Sequence, residues 1–580
     1  MSTQRILVLL ALLVATSVTA QAPTEFVPVT DRMLQNPDPA DWLMWRRTLD
    51  TWGFSPLKEV TGKNVGSLRM VWTRALGPGI QEGTPLVYRG VMYFPNPSDL
   101  VQAIDAASGD LLWEYRRSLP SDLGEYFPVP SINRNLAIFG DSIIDTSSDD
   151  YLYALDARSG KLQWETKLFD YRHGAQQTSG PIVANGKVIS GRGCEPEGSP
   201  AACVILAHDA KTGREIWRRP TIAAAGSEDG KSWGDTPNDE RWHVGAWMVP
   251  SYDPELNLVF IGTSVTSPAP KFAIAGNDKK YLYHNSTLAL NADTGEVVWY
   301  YQHIVDHWDL DHPFERLLVE TVVAPDHNEV TWINPRVRSG ERRKVVTGIP
   351  GKTGVVYTLD RATGEFLWAR PTVDQNVLQK IDALTGEATV NPDVTFVEMG
   401  QTRLVCPSTL GGKNWPSGTY SPLGNVMFFP LQNTCMMSTA ILSRPSFDSL
   451  YGLKNAEQVA PNHTNVGTIY AISVETGKTL WKYEQRAAML SLLSTAGGLI
   501  FGGDANGRFR AFDQQTGKVL WEVNLGSPIS GYPISFAVGN KQYIAVSTGS
   551  SLTAMGANRL TPELHASLGN NLFVFALPRE

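Results

Sequence analysis

Between residues 303 and 312 the chain reads HIVDHWDLDH, with acids at 306, 309 and 311 and histidines at 303, 307 and 312. Carboxylates are hard oxygen donors and proton acceptors, so such a run suits holding a cation or taking a proton. On an extended segment residues i and i+2 face one side, which places Asp309 and Asp311 to share a single cation. A solvated acidic loop is the plain alternative. Trp308 in the middle of the run argues against it, because a large indole is seldom left in water.

Chemistry on a loop needs a rigid frame, and the frame is written seven times. Versions of Ala-x-Asp-x-x-Thr-Gly-x-x-x-Trp end at Trp113, Trp164, Trp217, Trp299, Trp368, Trp481 and Trp521. An eighth copy is split: NLFVFALP at the C-terminus supplies the first half and SLRMVW, ending at Trp72, the second. A short apolar run precedes each Asp, as in DDYLYALD and GRFRAFD, and reads as a strand. Asp-x-x-Thr-Gly is turn chemistry, in which the carboxylate bonds backbone amides and glycine takes a positive φ. A second strand then runs to the Trp, a flat filler between neighbouring sheets.

Strand, turn and strand without helical periodicity predict an all-β chain: an eight-bladed β-propeller of four-stranded antiparallel blades. The split copy predicts a closing blade built from both termini, which leaves no free sheet edge. The Trp intervals are 41, 51, 53, 82, 69, 113 and 40 residues. The short ones match one blade; the long ones carry insertions, and the acid run follows Trp299 directly.

Residues 1–20 read as a secretory leader, with Arg5, the apolar run ILVLLALLVA and a small-residue cleavage pattern Val-Thr-Ala. The expectation is an exported, periplasmic chain, with residues 21–580 forming one propeller domain. No later segment is apolar for long enough to predict a membrane span in the mature chain. The formal charge of −8 becomes one unit more negative without Arg5, which argues against nucleic acid as a partner. Four cysteines in an exported chain favour disulfides, and sequence order suggests Cys194–Cys203 and Cys406–Cys435. There is no Cys-x-x-Cys-His, so the chain carries no covalent haem of its own.

The blade signature together with Trp-Asp-Leu-Asp resembles the pyrroloquinoline quinone (PQQ)-dependent alcohol dehydrogenases, from about Asp41 to the C-terminus. Four further blocks carry the resemblance: PGKTGVVYTLDR at 350–361, GGKNWPSGTYSP at 411–422, LSTAGGLIFGGDANGRFRAFD at 493–513 and GSPISGYPISFAVGNKQYIAVSTG at 526–549. It implies an oxidoreductase that removes a proton and a hydride from an alcohol or polyol, using PQQ and a metal ion, Ca²⁺ or a lanthanide.

The resemblance implies that Asp309 is the general base and that Lys352 donates to the quinone oxygens. It implies a metal held by Glu195, with Glu197 a near competitor, by Asp309, and by a residue where the family has Asn. Here GTSVTSPAPKF has no Asn and puts Ser267 before Pro-Ala-Pro; Asp311 is the acid available to compensate. Trp247, or alternatively Trp242, matches the stacking platform. Arg134, Thr178 (with Ser179 adjacent), Asn414 and Trp415 match cofactor contacts. A second departure is at Pro128-Val129, where many relatives place a vicinal cysteine pair. Electrons would pass to a separate soluble cytochrome c. The other reading is a non-catalytic propeller scaffold of the same repeat type, which needs the Trp packing but neither the acids nor Lys352. Loops 218–246, 268–285 and 370–405 are expected to shape the substrate pocket.

Overall fold

The computed structural model describes residues 26–126, 132–194, 199–441 and 451–578. The leader expected at 1–20 therefore lies outside the described residues, as do Pro128, Val129, Glu195 and Glu197.

Among the described strands, eight sheets have a four-stranded antiparallel core, and two of these are extended by a fifth strand. A representative sheet runs Ser251–Asp253, Leu258–Gly262, Ser286–Asn291 and Val297–Gln302. Its repeat signature occupies the last hairpin, as it does in the other copies. The two halves of the split copy meet: Arg69–Ala75 pairs antiparallel with Asn571–Ala576.

The turn explains the signature. Asp360 Oδ1 accepts from the amides of Ala362 and Thr363, both at 3.1 Å, and from Thr363 Oγ1 at 3.0 Å. Gly364 then takes φ +74°, and a Cβ there would fall 2.6 Å from the Trp299 ring of the preceding sheet. Glycine is thus demanded twice, by backbone and by neighbour. Trp299 Nε1 donates to the Arg361 carbonyl in that same turn at 3.2 Å. Trp72 to Ala106, Trp113 to Ala157, Trp217 to Ala292 and Trp481 to Gln514 repeat the contact at 2.9–3.2 Å. Each of these five Trp pins its own sheet to the turn of the next.

The N-terminal segment packs against sheets made much later in the chain. Buried Arg46 donates to the carbonyls of Gly418 and Leu492, both at 2.6 Å, and Phe54–Ser55 pairs parallel with Ser494–Thr495. The long Trp368–Trp481 interval holds two additions. One is a hairpin, Leu378–Ile381 with Ala388–Val390, and the other a three-stranded sheet of Thr402–Val405, Thr434–Ala440 and Leu453–Val459. Both disulfides form, Cys194–Cys203 and Cys406–Cys435. No described helix is long and apolar enough to cross a membrane.

Candidate active site

The segments that lead into the first strands of successive sheets converge at one end. Arg134 precedes Ala137–Phe139, Thr178 precedes Ile182–Ala184, Trp247 precedes Ser251–Asp253, and Asn414 and Trp415 precede Thr419–Ser421. The acid loop precedes Leu317–Val323, and Lys352 lies just before Val355–Asp360. Together they wall a cavity of about 320 Å³. It is lined by Arg134, Thr178, Trp247, Asp309, Asp311, Lys352, Asn414 and Trp415, among others. A larger groove of about 440 Å³ between Lys279–Lys280 and Gly386–Val390 contains none of these groups.

Lys352 is the hub of the acid end. Its Nζ lies 2.9 Å from Asp309 Oδ1, 3.1 Å from the Asp309 carbonyl and 3.3 Å from Asp311 Oδ2. Its amide donates to the Asp311 carbonyl at 2.8 Å, so main chain and side chain both fasten the loop. Gly351 beside it is required: a Cβ there would fall 2.3 Å from the His312 ring. All three charged groups are buried. Burial pushes the Asp309 carboxyl well above the usual range; Lys352 opposes that shift and Asp311 adds to it. Burial likewise works against the Lys352 ammonium, but Asp309 and Asp311 outweigh it and hold the ammonium charged.

The platform end is aromatic and cationic. Arg134 lies over Trp247 and Trp415, its Cζ 5.2 and 5.9 Å from the two ring centroids. Arg134 is fixed by buried Glu82 at 2.6 Å and by the Thr178 carbonyl at 3.1 Å. Trp247 packs edge-on against Phe314. Asn414 Oδ1 accepts the Trp415 amide at 2.7 Å, and the Trp415 carbonyl accepts from Tyr532 at 3.2 Å.

These residues fit a flat anionic cofactor. Two indoles offer apolar faces, Arg134 and Lys352 offer charge, and two buried donors, Trp415 Nε1 and Gln176 Nε2, have no acceptor among the described residues. They also fit a hard cation. Asp309 and Asp311 are close enough to share the Lys352 ammonium, and carboxylate oxygens are the ligands such ions prefer. Among the described residues no group of three or more His, Cys, Asp or Glu is gathered for a metal; Glu195 and Glu197 lie outside them.

Other sequence expectations fall elsewhere. Ser267 is buried but does not line the cavity; Ser264 does, accepting the Gly245 amide at 2.8 Å. Trp242 is likewise off the wall, and Ser179 is buried behind it. The loop is not the extended segment that the i, i+2 argument assumed: it is irregular, and Asp309 has φ +64°. The histidines of the run are buried and off the cavity wall. His303 bonds Thr287, His312 bonds Leu310 and Thr353, and burial holds all three rings, His307 included, below the usual imidazole range.

Several site residues gave no sequence signal. Glu82 is one acid in GIQEGTP, and only the fold sets it against Arg134. His243 and Tyr451 meet at the cavity wall, Nε2 to Oη 2.9 Å, although 208 residues separate them. They belong to the two longest insertions.

A repeated-sheet scaffold whose loops bring an ammonium, two acids and two indoles to one cavity is a frame suited to holding a cofactor. A family model described as "PQQ: Glucose/ethanol/alcohol dehydrogenase, beta-propeller domain" matches residues 42–391 and 443–544, and the chain belongs to that family. It is 30% identical over 544 residues to the quinohemoprotein alcohol dehydrogenase ADH-IIG of Pseudomonas putida, covering 88% of this chain and 73% of that one. It is 29% identical over 563 residues to the quinoprotein alcohol dehydrogenase PedH of P. putida, covering 91% and 89%. Among solved structures, a europium-containing methanol dehydrogenase superposes with a TM-score of 0.84 at 25% identity, covering 94% of this chain and 100% of that one.

Proposed function

We propose that this chain is a PQQ- and metal-dependent dehydrogenase that oxidises an alcohol or polyol in the cavity between Trp247 and Lys352. The observation that carries the reading is the buried Lys352–Asp309–Asp311 cluster opening onto a wall of indoles and Arg134. Asp309 takes the hydroxyl proton, and burial beside a second acid makes it a stronger base than an exposed aspartate. Lys352 orients Asp309 and places a positive charge where negative charge builds up. Arg134 and Asn414 would hold the anionic and carbonyl oxygens of the cofactor, and Trp247 would give a stacking face. Bound PQQ supplies the acceptor for the hydride, and a bound metal ion supplies Lewis acidity.

Asp309, Asp311 and Glu195 are the proposed metal donors. The extra acid Asp311 and the likeness to a europium-containing relative favour a trivalent lanthanide over Ca²⁺. With Ser267 off the wall, Ser264 replaces it as the hydroxyl candidate. Eight sheets and the pairing of residues 69–75 with 571–576 support an eight-bladed ring closed by both ends. Export to the periplasm after cleavage near Ala20 fits the leader and the two disulfides. A soluble cytochrome c is the proposed acceptor of the electrons. The test is to purify the chain, add PQQ with Ca²⁺ or La³⁺, and follow dye reduction on a panel of alcohols and polyols. Reduction with at least one alcohol is expected, stronger with La³⁺; none with either metal overturns the reading.

A further inference from the structure

The first acid of the loop, Asp306, has no part in the chemistry above. It is fully buried and off the cavity wall. Its Oδ1 accepts the Trp308 amide at 2.6 Å, and its Oδ2 accepts the Leu310 amide. These two amides bracket Asp309. Asn285 closes the grip, its Nδ2 donating to Asp306 Oδ2 at 3.2 Å and to the Leu310 carbonyl at 3.0 Å. The Asp306 amide in turn donates to His284 Nε2 at 3.1 Å. Lys271, also buried, supplies the opposing charge.

Between the two gripped amides Asp309 takes φ +64°. Aspartate enters the left-handed region more readily than most residues with a Cβ, but still at a cost that bonds from its surroundings offset. The blade turns use the same device, an Asp holding the amides that follow it, but there the left-handed place goes to glycine. In the loop it goes to the acid that meets Lys352. Both carboxylate oxygens are engaged, so no side chain with a single acceptor can replace them.

We infer that Asp306 is a positioning residue, whose carboxylate grips the amides on both sides of Asp309 and holds that acid against Lys352. Its kinetic consequence rests on Asp309 being the base; its structural consequence does not.

Asp306→Asn tests it, because the amide keeps the shape but turns an NH₂ toward a main-chain N–H. In a crystal structure of this variant Asp309 is expected to leave the left-handed region and lose its 2.9 Å contact with Lys352. In the reconstituted holoenzyme kcat is expected to fall roughly 10²-fold, the usual result of a base misplaced by an ångström. KM for the alcohol and PQQ affinity, read by quenching of Trp fluorescence, are expected to stay near wild type. Asn285→Ala is expected to lower kcat in the same direction by less, and it carries the comparison if Asp306→Asn does not fold. A folded variant that keeps the Asp309 conformation and the Lys352 contact, or keeps kcat within about twofold, overturns the inference. If the wild-type chain oxidises no alcohol, the functional reading fails and the crystal structure alone decides the positioning.

Discussion

The molecule uses aspartate in two settings. In the hairpin turns the carboxylates lie near the surface and serve local geometry. Asp382, in the added hairpin, accepts from Leu384 and Thr385 amides at 3.0 and 2.8 Å and from Thr385 Oγ1 at 2.9 Å. Those bonds, led by the Thr385 amide, hold its carboxyl below the usual range. In the acid loop and beside the inner strands the carboxylates are buried, and burial pushes them the other way. The same side chain is a turn clamp where water reaches it and a strained, reactive or charge-paired group where water does not.

Asp309→Asn should separate the two settings most widely. It leaves the fold in place and removes the proton acceptor, so kcat is expected to drop by about 10³-fold, with thermal midpoint and PQQ binding little changed. Activity within tenfold of wild type would place the base elsewhere. Asp145 then asks whether burial without function behaves alike. Burial first, and then the neighbouring Asp99, push its carboxyl to about 8. From the ordinary aspartate range up to that value the folded chain binds a proton that the unfolded chain has released. Stability therefore falls as pH rises through this window. Asp145→Asn is expected to flatten the decline in unfolding midpoint between about pH 5 and pH 8; an unchanged slope would show that Asp145 is ionised after all. The smallest change is expected from Asp382→Ala. Its carboxyl is held low when folded, so its contribution is present above the usual aspartate pKa and lost as pH falls below it. A midpoint shift near the detection limit at neutral pH, absent in acid, with kcat untouched, is the expected calorimetric and kinetic result.

The turn clamps were legible in the sequence because they are local: Asp, Thr and Gly sit within five residues, and the Trp that reads the turn recurs with them. The added hairpin carries the same signature at Asp382-Ala-Leu-Thr-Gly without a Trp, and it stands outside the eight sheets accordingly. Asp309 and Lys352 stood out through family-like blocks, and the structure brings them into contact although they stand 43 positions apart. Glu82 behind Arg134, and His243 against Tyr451, were not. Those contacts are made by loops from different sheets, and no short-range period records which loops will face each other. The left-handed turn at Asp309 was also hidden, since the residue that imposes it lies three positions earlier and reads as one more acid.

The pairing of residues 69–75 with 571–576 has a consequence for biogenesis. One strand leaves the ribosome roughly 500 residues before its partner exists, and its unpaired backbone edge must wait. Arg46 meanwhile is buried against carbonyls at 418 and 492 that are also made late. The early segment is therefore a base against which later sheets are laid, and the last strand made completes the sheet that the strand at 69–75 began. A nascent chain stopped anywhere before residue 571 leaves the strand at 69–75 without this partner, a substrate for chaperones and proteases rather than a smaller working enzyme.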